Sequence, residues 1–210
     1  MKNYGKFTPS NRVELKVFNK VLCVEFWINL STSVAIAVSS GFYLWGSEVD
    51  NVCKVGSSSL YDSNQVDVNK RFSDILTIFF AFSVVEAFRS VMMLLAVVTG
   101  KSKIAKVYEF LCCNSCLAFA ALIILHVYRF QYSGKFCSYD YPDDAMMALG
   151  LPSSTQMSAS DILNSKYASF FQIQRGRYLL GLVIYIWVGG FTIACAFGCF
   201  SICLLSKIPG

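Results

Sequence analysis

Five polar residues stand inside long apolar runs, where ionisable chemistry is costly: Glu25 and Asn29, Glu86 and Arg89, and Asn114. Glu25 and Asn29 are four positions apart, and Glu86 and Arg89 three, so each pair shares one face of a helix. An unpaired charge at membrane depth costs roughly 2.5–3.5 kcal/mol on insertion scales. These side chains are therefore expected to point inward and find partners, Arg89 with Glu86 in its own helix and with Glu25 or Asn29 in another. Two roles stay open for the cluster. It can fix helix register and subunit contacts. Alternatively it can carry a proton or cation, with Glu25 or Glu86 as the exchanging carboxylate. No second acidic layer continues towards the opposite face, which weighs against a conducting path.

Nine cysteines divide into two groups. Cys53 and Cys137 are alone in their polar segments, and on an oxidising side they form a possible loop-to-loop disulfide. In a reducing compartment both are free thiols. The others lie in apolar runs. Cys112, Cys113 and Cys116 have no histidine or second cysteine pair nearby and read as small packing residues, not a metal cluster. Cys195, Cys199 and Cys203 recur every four residues as one helix ridge, beside a second ridge of Gly190, Ala194 and Gly198. Small residues at this spacing let helix backbones approach closely, so this helix is expected to pack tightly on a neighbour in this chain or another subunit.

Other chemistry finds little support. Phosphate-binding glycine loops, paired carboxylates in a soluble cleft and Ser/His/Asp sets are missing from the sequence. His126, the single histidine, reads as a boundary anchor. No cofactor, no metal and no catalytic residue are expected, and the chain is read as a non-enzyme. The net charge of +5 is spread over tails and loops, so nucleic acid is not an expected partner.

The elements that must position these residues are four apolar runs, at about 21–45, 75–98, 107–127 and 178–205. Each has the 20 or so residues needed to cross about 30 Å of hydrocarbon. With 55% apolar and 15% charged residues, the chain is expected to be an all-α integral membrane four-helix bundle, one domain over 1–210. The first run is too long for a cleavable signal and contains Glu25 and Asn29, so it is expected to stay. Counted from the inner edges, Glu25, Asn29, Arg89, Glu86 and Asn114 lie roughly 7–18 Å deep, in one zone.

Lys2, Lys6, Arg12, Lys16 and Lys20 precede the first run, Lys101, Lys103 and Lys106 join the second to the third, and Lys207 follows the fourth. The positive-inside rule places these segments, and both termini, in the cytosol. Two outer loops remain, about 46–74 and 128–177. Phe42, Tyr43, Trp45, Tyr128, Tyr132 and Tyr178 mark their boundary with the membrane. In the first loop the alternation over Asn64–Val68 is too short to define a strand. In the second, Ser158–Gln174 reads as a helix capped by Ser160 or Asp161, with an apolar side for the membrane surface or a partner.

This layout resembles the tetraspan proteins of the MARVEL and claudin type. Leu44, Trp45 and Gly46 followed by Cys53 resemble the tryptophan and cysteine region of claudin first loops. That pattern has Gly-Leu-Trp and two cysteines where this chain has one. The resemblance implies a role in membrane organisation or as a non-catalytic subunit. The partners expected are membrane lipids and further copies or a larger membrane complex, in the plasma membrane or endomembrane system, with a mitochondrial membrane as the other possibility.

Overall fold

The computed structural model describes residues 12–46, 48–56, 59, 63–99, 114–151 and 157–205. Seven α-helices run through these residues: α1 Arg12–Trp45, α2 Val68–Thr99, α3 Asn114–Phe130, α4 Tyr132–Cys137, α5 Pro142–Ala148, α6 Ala159–Leu163 and α7 Ile173–Leu205. A short 3-10 turn, Ala168–Phe170, precedes α7. The chain is therefore mostly helical. Among the described residues one helix, Val68–Ala96, is long and apolar enough to cross a membrane. A soluble core helix of that composition would be mostly buried, whereas only 17% of its most apolar window is buried here. The third expected span falls partly on residues outside those described; what is described of it is α3.

Two compact units divide the chain: Met1–Gly41 with Ile78–Phe119, and Phe42–Thr77 with Ala120–Gly210. In the first unit the buried positions are mostly small or polar. Ser33, Ala37, Ser40 and Gly41 form a buried face of α1, and Phe79, Ser83 and Ser90 one of α2. Spacings of three and four put each set on one helical side, and the small side chains permit close backbone approach.

The second unit has a conventional core. Phe72, Ile75 and Leu76 of α2, Leu125 of α3, Met146 of α5, Ile162 of α6, Phe171, and Ile173 and Leu179 of α7 are all at most 1% exposed. α1 starts at Arg12, nine residues before the expected span, and α7 at Ile173, five before it; three further findings differ from the sequence expectations. First, the loop at 46–74 holds a hairpin, β1 Lys54–Gly56 antiparallel to β2 Gln65–Asp67, with Val55 opposite Val66. Backbone pairing beside a disulfide fixes a strand that alternation alone was too short to define. Second, α2 starts at Val68, seven residues before the expected span, because the Asp67 carboxylate accepts from the Lys70 N–H at 3.1 Å and caps it. Third, Ser158–Gln174 is not one helix. α6 is capped by Ser158 in a reciprocal box with Asp161 and stops at Leu163; Ser165 then accepts from the Tyr167 N–H and a 3-10 turn follows. Ile162, Phe171 and Ile173 are drawn into the core, which a continuous surface helix would have kept on one outer side.

α4 packs on β1, α5 and α7. Gly134 and Gly176 are the positions where this packing demands glycine. A Cβ on Gly134 would run into the Tyr128 carbonyl oxygen, and one on Gly176 into the Ser138 side chain, with the Ser138 Cα only 3.2 Å away.

Candidate functional site

Two polar clusters in the structure could carry function, one in each unit. In the first unit, Glu86 lies one helical turn from Arg89 on α2. The Arg89 guanidinium donates to both carboxylate oxygens, at 3.2 and 3.3 Å. Asn114, 6% exposed at the start of α3, donates its amide to Glu86 Oε2 at 3.1 Å and lies 3.5 Å from the Phe82 carbonyl oxygen. The structure thus brings three of the five expected residues together on one carboxylate. Asn29 is half-buried on α1, and the side chain of Glu25 lies outside the described residues. Glu86 is held by a cation and a neutral donor at once, so removing the cation should leave a part-buried charge. We expect Arg89→Leu to lower stability by about 2–4 kcal/mol. Thermal unfolding in lipid or mild detergent checks this, and an unchanged midpoint would refute the pairing.

In the second unit the disulfide is formed. Cys53 and Cys137 are bonded and buried, 6.0 Å apart at Cα, joining the edge of β1 to the end of α4 across 84 residues. Around this bond two helix ends interlock. α7 begins with Arg175 in its first turn, and this side chain is fully buried. Its Nε donates to the Tyr43 carbonyl at 2.8 Å and one terminal nitrogen to the Leu44 carbonyl at 3.1 Å. Those are carbonyls of the last turn of α1, which has no helical donors of its own for them. The other terminal nitrogen donates to Asn69 Oδ1 at 2.7 Å and Ser73 Oγ at 3.3 Å on α2. Placing a guanidinium at a helix C-terminus also complements the macrodipole.

The reverse contact comes from the chain just beyond α1. Glu48 turns its carboxylate on α7, accepting from the backbone N–H of Gln174 and Arg175 at 3.0 Å each. The end of α1 is therefore capped by Arg175 of α7, and the start of α7 by Glu48 from the chain just beyond α1. Glu48 sits at φ 64°, a left-handed conformation that a non-glycine residue holds only when its surroundings impose it. The imposing contacts are these two N–H groups and Gln172, whose fully buried amide donates to the carbonyls of Glu48 and Asn51 at 3.0 and 2.8 Å. Next to the clasp, Tyr43 and Tyr178 stack with ring centroids 4.5 Å apart.

Burial pushes the Glu48 carboxyl above its ordinary 4.5, and the Gln174 and Arg175 N–H groups and the Arg175 guanidinium only partly offset this. The same burial lowers Arg175, opposed by Glu48. The sign follows for stability. A carboxyl with a raised folded value binds its proton more tightly in the folded chain, so its contribution is greatest below 4.5 and is lost as pH rises through the raised value. Subtracting the stability profile of Glu48→Gln from that of the parent should show this falling slope; a rising difference would contradict it.

A second buried arginine supports the first. Arg129, 1% exposed near the end of α3, donates Nε to the Gly176 carbonyl at 2.9 Å and pairs with Asp140 at 2.7 Å. Asp144 accepts from the Tyr132 hydroxyl at 2.6 Å. His126 is also engaged. Trp187 donates its indole N–H to Nε2 at 2.9 Å, which leaves the imidazole proton on Nδ1, directed at the Leu122 carbonyl at 2.7 Å.

On α7, Gly190 is exposed, and a Cβ there would meet nothing within 4 Å. The side chains of Ala194, Cys195, Cys199 and Cys203 and the surroundings of Gly198 lie outside the described residues. Sequence reasoning missed Glu48, Gln172 and Arg175. A usable signal was present: Arg175 and Arg177 flank Gly176 immediately before an apolar run, in a loop expected on the outer side, where the positive-inside rule disfavours arginine.

No family model matches the chain, and no curated protein or solved structure is significantly similar to it.

Proposed function

We propose that this chain is a non-catalytic tetraspan membrane protein that organises membrane through lateral association, with itself or within a larger complex. Its four helices form a bundle with both termini in the cytosol and the disulfide-bonded cap outside, a layout similar to the MARVEL and claudin type. The observation that carries this reading is the inverted polarity of the long helices. Large apolar side chains such as Trp27, Val38, Phe88, Trp187 and Val188 are more than half exposed, while Arg175, Arg129, Ser40 and Ser83 are buried. Lipid is the solvent in which that distribution is favourable. The Cys53–Cys137 bond supports an oxidising outer side, and hence the plasma membrane or endomembrane system.

Association is assigned to α7. Gly190 is open, and by helical spacing it begins the ridge that continues through Ala194 and Gly198 beside Cys195, Cys199 and Cys203. Oxidative cross-linking of the full chain in native membranes tests the assignment. A dimer bonded through the α7 cysteines, lost in Gly190→Leu with Gly198→Leu, is expected; a chain that never cross-links would overturn it. A proton or cation path through Glu86 is the other reading. The engagement of Glu86 by both Arg89 and Asn114 favours a closed structural cluster instead.

A further inference from the structure

We infer that the segment between α1 and β1, together with the 3-10 turn before α7, forms an apolar rim that inserts into the headgroup–acyl boundary of the outer leaflet. The inference rests on the membrane reading above and adds a specific lipid contact to it. Trp45 at the end of α1 is 67% exposed, Val49 37%, Val52 57% and Phe170 54%. Hydrogen bonds join the chain at Val49–Val52 to the 3-10 turn and to α2. The Val52 N–H donates to the Ser169 carbonyl at 3.0 Å, and the Asn51 amide donates to the carbonyls of Ala168 and Phe171 at 3.0 and 2.7 Å. The Val49 carbonyl accepts from Asn69 at 2.9 Å, and Cys53 is held by the disulfide.

Three polar groups in this stretch turn inward, Glu48 to α7, the Asn51 side chain to the 3-10 turn and the Val49 carbonyl to Asn69, while Asp50 stays exposed. The apolar side chains are left outside on a rigid frame. Phe170 is exposed directly beside Phe171, which is 1% exposed, so the turn divides two aromatic rings between core and surface. Burying such side chains in protein would have stabilised the cap. Their exposure is accounted for if lipid covers them.

Two observations select a lipid surface as the occupant. The rim continues the exposed end of α1, where Phe42 is 62% exposed and Trp45 follows, and tryptophan favours the interface. The exposed Lys54 and Lys166 flank it, with long stems that can lie along acyl chains while their ammonium groups reach phosphate; Asp50 is the exposed acid in the same stretch.

The test uses the full chain in phosphatidylcholine vesicles, with Trp27, Trp45 and Trp187 replaced by phenylalanine and a single indole introduced by Val52→Trp or Phe170→Trp. Lipid brominated high on the acyl chain should remove about half or more of the emission from each, while aqueous acrylamide quenches weakly. Strong acrylamide quenching without bromine quenching would overturn the inference and leave water or a protein partner facing the rim. A third protein, retaining Trp187 alone, separates the two claims. If bromine quenches Trp187 but neither introduced indole, the rim inference fails and the membrane reading stands. If Trp187 is not quenched either, both fail.

Discussion

Replacing Arg175 with leucine is expected to destabilise the protein by about 3–5 kcal/mol, the largest effect of any single substitution in the second unit. The estimate follows from what the guanidinium leaves behind. The Tyr43 and Leu44 carbonyls and the Asn69 oxygen lose donors at 2.8, 3.1 and 2.7 Å, and Glu48 loses its neighbouring cation. Each buried acceptor without a donor costs about 1–3 kcal/mol, although Ser73 can rotate and Glu48 retains two N–H donors. Arg175→Lys should recover part of the loss, because an ammonium keeps the charge but cannot reach both the α1 carbonyls and α2. Thermal unfolding in one detergent checks the order parent, lysine, leucine. If leucine unfolds at the parent's temperature, the interlocked helix ends are not a source of stability.

Removing the disulfide is the second large effect. Cys53 and Cys137 close 84 residues, for which the chain-entropy relation gives about 4–5 kcal/mol. Cys53→Ala with Cys137→Ala should lower stability by that order and loosen the hairpin first, because β1 is bonded to α4 directly at Cys53. Hydrogen exchange of the amides in Lys54–Gly56 and Gln65–Asp67 should accelerate before those of α2. The same variant should migrate differently from the parent on a non-reducing gel but alike after reduction. Equal stability and unchanged exchange in the hairpin would show that the bond constrains nothing the fold does not already fix.

The clasp and the disulfide are complementary. The disulfide ties β1 to α4, whereas Arg175 and Glu48 tie the end of α1 to the start of α7, and Gln172 bridges the two by donating its backbone N–H to the Cys137 carbonyl at 2.8 Å and its side-chain amide to the Glu48 carbonyl at 3.0 Å.

The helices were legible in the sequence because apolar runs of 20 or more residues leave few alternatives, and the Glu86 and Arg89 spacing placed both on one helical face. The cap was far less legible. Glu48, Gln172 and Arg175 are more than a hundred positions apart in part, and no periodicity links a loop glutamate to a helix N-terminus formed 125 residues later. The same non-local hydrogen bonds explain the broken helix after Ser158: Ile162 and Phe171 are both buried, and a continuous helix would not have placed them in the core while leaving Phe170 outside. The buried Ser33, Ala37, Ser40 and Gly41 face of α1 was visible as spacing, but it was overshadowed by the more obvious glycine and cysteine ridges of α7.

Particle mass in lipid nanodiscs distinguishes lateral organisation by a lipid-embedded bundle from a solitary chain. The expected result is an assembly of two or more copies, or a stable complex with other membrane proteins, that falls towards single copies in Gly190→Leu with Gly198→Leu. A monomer at every protein-to-lipid ratio, conducting ions past Glu86 and Arg89, would contradict it.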